Sequence, residues 1–400
     1  MDAFAFDRRL MLKASLAVSA ALLMACGSEP ASPPPDAQQA PTAATPEPTA
    51  DPLLTQFISE PFHVNQKWKS MEGPSHQTPV VISQSSGLEY LWFRGYRTEI
   101  IPADGDGTVS QEFMCHNNLD FIMKPPFHYE IFGWSKEKAA FQSPRLFTLS
   151  QGQFEFTLPE GFGLPLRSDE GIFLTTQVLN HNIENADISV RHRVEIDVVR
   201  DQDLEEPLKP LYASAVTILA SLGDTDAYYA VKDPDAVHQG SSCEVGTTPD
   251  TIKEHVYTDE FGQRFTGHWV LKPGREVRHT LVTKLLNVTS DTRIHFIGAH
   301  LHPFAESLAL RDLTTGETLY TIEATGPETG IGLEHVTFYS STEGIAVYRD
   351  HEYELVSIYN NTSGVDQDAM AVLFLYLYDE DAAGAIEYAR QLKVWSKESS

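Results

Sequence analysis

Three things are scarce in this chain of 400 residues. Basic residues number 29 against 56 acidic ones, cysteines number three, and no stretch after the first 25 residues holds 18 unbroken apolar positions. The formal net charge of -27 argues against a nucleic-acid partner and against attraction to anionic lipid head groups. Without a long apolar run, the body of the chain has no candidate membrane-spanning helix. Long helical periodicity is also rare. So are hydrolase signatures: there is no nucleophile elbow, no His-Glu-x-x-His and no phosphate-cradling glycine loop.

What is present begins with a leader. Arg8 and Arg9 precede an apolar run from Leu10 to Ala25 that ends in Leu23-Met24-Ala25-Cys26. The pattern reads as a bacterial lipoprotein signal over residues 1–25, with cleavage before Cys26 and lipid on its thiol. The paired arginines also fit a twin-arginine export signal. Residues 26–52 are rich in Pro, Ala, Thr and Glu and have almost nothing to bury, so they read as a tether. Extended at roughly 3.1 Å per residue, such a tether reaches about 80 Å from the lipid. This places the protein on the bacterial cell envelope, joined to the membrane only through its N-terminal lipid. With Cys26 spent on lipid, Cys115 and Cys243 remain. An oxidising compartment favours a disulfide between them, while a metal role for Cys115 and free thiols stay open.

From residue 53 the chain alternates short aromatic and β-branched segments with Gly, Pro, Asn and Asp clusters. Val80 to Gln84, Glu89 to Arg94, Gly152 to Leu158, Ile188 to Val199 and Val347 to Leu355 all read as strands. The expected class is all-β, built from two tandem jelly-roll-like antiparallel β-sandwich domains. The charged, Pro-containing run from Arg200 to Pro210 sets the boundary, giving 53–205 and 206–400. A short helix is expected over Asp381 to Lys393. The Asp104-Gly-Asp-Gly107 loop lacks EF-hand spacing and reads as a tight turn.

The stretch Arg293-Ile-His-Phe-Ile-Gly-Ala-His-Leu-His-Pro303 organises the rest. Residues i and i+2 of a strand share a face, so His300 and His302 point together. Ile297, Ala299 and Leu301 fall on the opposite face, which suits burial there while the histidines open on a cavity. Two imidazoles on a stiff strand are half of a site for copper, zinc or iron. Downstream, Met370 follows acidic residues at the start of an aromatic strand. Its thioether would complete a soft site suited to Cu(I).

The order His-x-His at 300–302, Tyr359-Asn-Asn-Thr362, then an acidic loop leading to Met370 resembles the C-terminal domain of the type II copper, ascorbate-dependent monooxygenases. That family includes peptidylglycine α-hydroxylating monooxygenase and dopamine β-hydroxylase. The similarity covers about 260–380 and is fainter over 90–200. It implies two β-sandwiches flanking a solvent-filled cleft with a copper on each. His300, His302 and Met370 would then hold the oxygen-binding copper. The family's N-terminal copper has only histidine ligands. Its paired histidines correspond here to Cys115 and His116, and its third ligand to Leu179, with His181 two residues on.

By this resemblance the chain hydroxylates a C–H bond of a small molecule or exported peptide, using O2 and an external reductant. Two other readings compete. One is a non-catalytic copper-binding or copper-carrying module. The other is a β-sandwich that binds glycans or proteins through exposed aromatics such as Trp92, Phe93 and Trp134.

Overall fold

Burial alternates residue by residue along the longest strands, as expected where one face meets a core and the other is less covered. Over Ile188–Arg200 the buried positions are Val190, His192, Val194, Ile196, Val198 and Arg200. The computed structural model describes residues 53–85, 87–105, 107–121, 131–132, 144–222, 256–259 and 261–391. The leader, the tether, Cys26, Cys243 and Trp134 therefore lie outside the described residues.

Strands are numbered along the chain. The largest sheet runs in the order β1 (Gln56–Ile58), β10 (Ile188–Arg200), β4 (Tyr90–Pro102), β8 (Phe162–Arg167), β11 (Lys209–Thr217), β23 (Gln367–Tyr378), β17 (Thr292–Leu301) and β21 (Tyr339–Val347). Short strands β2 (Phe62–Val64), β7 (Glu155–Thr157) and β15 (His268–Leu271) add to β10, β4 and β23. A second sheet is β3 (Ser75–Val80), β9 (Ile172–Val178), β5 (Met114–Phe121) and β6 (Arg145–Ser150). A third is β16 (Gly274–Leu281), β22 (Tyr353–Asn361), β18 (Ala305–Asp312), β19 (Glu317–Thr325) and β20 (His335–Val336). A small one joins β12 (Ala220–Ser221), β14 (Arg264–Thr266) and β13 (Val256–Thr258).

The protein is thus all-β, with antiparallel sheets stacked as jelly-roll-like sandwiches. The second sheet closes over β4, β8 and β10, burying Leu91, Phe93, Tyr96, Leu119, Phe147, Leu149, Leu164 and Leu174 between them. The third closes over β11, β23 and β17, burying Leu308, Leu310, Leu355, Leu373, Leu375 and Leu377. The charged run from Arg200 to Pro210 links β10 to β11, and the sheet continues past it through a short parallel pairing, Lys209 with Phe162 and Pro210 with Gly163. Residues 50–400 form one compact unit.

Of the two helices used below, α1 is Thr283–Leu286 and α2 is Glu380–Gln391. The second matches the helix expected from Asp381 up to Gln391. Asp379 Oδ1 accepts the Ala382 N–H at 2.9 Å, capping its first turn, and Ala382 and Ile386 enter the core.

Several local expectations change. Val347 to Leu355 is not one strand but the end of β21, a reversal and the start of β22. Its polar tip turns because the Tyr353 hydroxyl accepts the Tyr348 N–H at 2.6 Å while His351 Nδ1 meets Asp312 Oδ2 at 2.6 Å. Val80 ends β3 rather than beginning a strand. Trp92 and Phe93 are not exposed at all: both have zero accessible surface, and the Trp92 indole donates to Asp201 Oδ1. A binding face built on them is thereby overturned.

Candidate metal centre at the seam

β17 serves two interiors at once. Ile297, Ala299 and Leu301 enter the C-terminal core, while Phe296 joins the N-terminal one. Gly298 shares the Phe296 side, and a Cβ there would stand 2.6 Å from Phe147 Cζ, so only glycine admits that ring. Further aromatic contacts close the seam between the halves: Phe147 on Phe374 at 4.9 Å, Phe156 on Phe296 at 5.0 Å and Phe156 on Tyr376 at 5.6 Å between ring centres. The Tyr376 hydroxyl donates across it to the Leu146 carbonyl at 3.0 Å. Instead of a solvent-filled cleft, apolar packing joins the two sandwiches along this line.

His300 and His302 continue the same face. Their ring centres are 5.3 Å apart with planes at 86°. The rings are shielded from solvent, His300 being 6% and His302 3% exposed. The physical reason is the seam itself, which covers the face that a lone sandwich would present to water. A recess of about 550 Å³ lies elsewhere, lined by residues such as Tyr96, Arg97, Glu155 and Asp197, and shares none with the histidines.

Adjacent strands supply the neighbours. His300 pairs with Val372 of β23, and two residues earlier Met370 pairs with His268 of β15. Residues opposite one another in a ladder share a face, so His268 and Met370 sit side by side. The His268 ring is 5.9 Å from that of His302. The Met370 carbonyl accepts from the His302 N–H at 3.2 Å and from the Tyr359 hydroxyl at 2.6 Å. The Tyr-Asn-Asn-Thr segment is therefore bracing: Tyr359 pins the Met370 backbone, and Asn361 Nδ2 donates to the carbonyls of Leu271 and Val365. Asp368, on the Met370 face of β23, lies with Oδ2 2.9 Å from His302 Nδ1.

The N-terminal candidates turn toward this same cluster. The His116 ring, 6% exposed, is 6.1 Å from that of His300 at 76°. His181 is half-buried, and Asp368 and His302 are among the charges that act on it. Cys115 does not join them. It is the extra residue of a bulge between Met114 and His116, and its Sγ lies 3.8 Å from Gln177 Oε1. Burial pushes its thiol up to about 12, so it stays protonated at neutral pH in the metal-free protein. Leu179 is buried core at the expected third-ligand position.

Burial above all keeps His116, His181 and His300 neutral. Burial, then repulsion from Arg145 and His302, brings His116 down to about 3. Burial followed by His302 and His116 holds His300 well below the ordinary histidine value. Burial brings His181 down to about 4, against the opposing pull of Asp368. Burial alone would raise Asp368, but the facing His302, then His268 and His181, hold it below the usual carboxylate range.

A metal fits this donor set in part. Two imidazoles on one ion at about 2.0–2.1 Å in tetrahedral geometry have ring centres roughly 5 Å apart. The His300 and His302 spacing of 5.3 Å meets that condition. His116 Nδ1, His300 Nδ1 and His302 Nδ1 are buried without an aligned hydrogen-bond partner. Among the described residues, no three His, Cys, Asp or Glu side chains already gather in metal-holding geometry. A third donor from outside those residue types would be needed, and Met370, paired with His268 on the adjoining strand, is the candidate there.

Two contributors escaped the sequence reading. Asp368 could have been found by the period-two rule, since it precedes Met370 by two on one strand. His268 carries no local signal, because only the pairing of β15 with β23 brings it near.

Comparison with known proteins adds little. No family model matches the chain, and no curated protein matches it. Among solved structures, the STIV MCP is 10% identical, with 82% of this chain and 99% of that one covered, at a TM-score of 0.27. Pumpkin seed globulin is 7% identical over 82% and 86%, at 0.14. An infectious bursal disease virus structure, Gx strain, is 10% identical over 84% and 79%, at 0.13. Overlaps this low say nothing of function.

Proposed function

We propose that this chain is a copper protein of the monooxygenase type, held to the bacterial envelope by lipid on Cys26, with His300, His302 and Met370 as the copper ligands. The observation that carries the reading is the spacing of two buried imidazoles on one face of β17, with Met370 on the adjoining strand. Copper in such a site supplies one-electron redox chemistry and reactivity toward O2, enough to hydroxylate a C–H bond of a small molecule or exported peptide.

The chain's own residues do the rest. Burial holds His300 uncharged, so its lone pair is available at neutral pH. The thioether favours the reduced ion. Tyr359 fixes the Met370 backbone, and the aromatic seam keeps bulk water from the cluster. With Cys115 protonated and turned aside, electrons come from an external reductant acting at this one site.

The deep burial of both rings favours a second reading, in which the protein binds or carries copper without turnover. Copper titration of the full chain, followed by oxygen uptake with ascorbate, separates the two. One copper per chain with reductant-dependent uptake and a hydroxylated product supports the monooxygenase. One copper without uptake supports the carrier, and no copper removes both.

A further inference from the structure

The two histidines on β17 differ in what meets their Nδ1 atoms. Nδ1 of both rings is buried and makes no aligned hydrogen bond. At His302, however, a carboxylate stands beside it, with Asp368 Oδ2 2.9 Å from Nδ1 and within reach of a hydrogen bond once either side chain turns. His302 is 3% exposed and the Asp368 side chain 33%. The carboxylate belongs to the strand that carries Met370, two residues along on the same face, and the His302 backbone N–H is tied to the Met370 carbonyl at 3.2 Å. Both the ring and its partner are thus set by one strand register.

We infer that Asp368 is a positioning residue: it takes the Nδ1–H of His302, fixes that ring in one tautomer and orientation, and leaves Nε2 as its metal-binding nitrogen. An ionised carboxylate can only accept, so a neutral imidazole against it must carry its proton on Nδ1. Its lone pair is then on Nε2, and the anion makes that nitrogen more basic. Asp368 is also the carboxylate that acts on His268 and His181, so its charge offsets that of a cation placed among these rings. Removing it disfavours Cu(II) more than Cu(I), because the ion of higher charge loses more.

The inference rests on the copper reading for its metal-bound consequences but not for its first test. Nitrogen-15 NMR of the metal-free full chain reports the His302 tautomer directly. The expected result is Nδ1–H in the wild type and a mixture in Asp368→Ala. Nδ1 unprotonated in the metal-free wild type overturns the assignment whatever the protein binds. In the copper-loaded protein, Asp368→Asn keeps an acceptor but loses the charge. It is expected to raise the Cu(II)/Cu(I) potential and weaken Cu(II) binding about 10-fold, and Asp368→Ala to weaken it about 100-fold, the span seen for partners of metal-bound histidines. Unchanged affinity and potential in both variants, with copper still dependent on His300 and His302, overturns the role of Asp368 alone. Absence of copper from the wild type overturns the proposed function instead.

Discussion

The two halves of the protein contribute unequal donor groups to one seam. On the C-terminal side, His300, His302, Met370, His268 and Asp368 come from three neighbouring strands whose pairing fixes every relative position. On the N-terminal side, His116 rides on a bulge, Cys115 packs away from it as a neutral thiol, and His181 follows the end of β9. A ladder aligns side chains two by two, whereas a bulge re-aims one and spoils the alignment of its neighbour. The proposed donors therefore fall where the register is regular, and the candidates that do not align fall where it is not.

That contrast can be attacked from both sides, beginning with the largest effect. His300→Ala and His302→Ala are each expected to lower copper affinity more than 100-fold by isothermal titration, while Cys115→Ser leaves it within about twofold. A strong loss in Cys115→Ser would show that the bulged side is a metal site after all. Met370→Leu keeps the volume, so its stability cost in urea is expected below about 1.5 kcal/mol, while Cu(I) affinity falls and Cu(II) affinity does not.

The seam itself is the next target. Gly298→Val drives a side chain into Phe147 and is expected to cost at least about 1–3 kcal/mol of stability, with increased hydrogen exchange in β6 and β17. Tyr376→Phe leaves the Leu146 carbonyl without its buried donor, for about 1–2 kcal/mol by denaturant melts.

A pH titration sharpens the comparison from outside the cluster. His192 is fully buried, and burial brings it down to about 3 against the opposing effect of the Gln177 backbone. Its folded value is depressed, so the unfolded chain binds the proton first. Its contribution is intact above about pH 6.5 and declines as pH falls toward 3, with a slope of about 1.4 kcal/mol per pH unit. His192→Leu is expected to flatten that slope in metal-free protein. An unchanged acid limb would place the acid sensitivity elsewhere.

Strand alternation made the fold class legible, and it correctly put His300 and His302 on one face, because a period of two needs no tertiary knowledge. The same rule misjudged what lies over that face. The histidine face was expected to open on a cavity, yet Phe296 and Gly298 on that side meet Phe147 and Phe156 from a strand and hairpin far earlier in the chain. Nothing local in Trp92-Phe93 distinguishes a buried aromatic pair from a binding surface either. His268 was invisible for a related reason: its partner Met370 is about 100 residues away, and only sheet order joins them. The reversal at Asp350 was missed because Val347, Tyr353 and Leu355 keep the alternation going across a turn.

X-ray absorption at the copper edge of the Cu(I)-loaded full chain tests the central claim most directly. Two imidazoles and one sulfur around a single copper, with the sulfur lost in Met370→Leu and retained in Cys115→Ser, is the predicted result. A copper shell without sulfur, or a sulfur that vanishes with Cys115 and not with Met370, contradicts it.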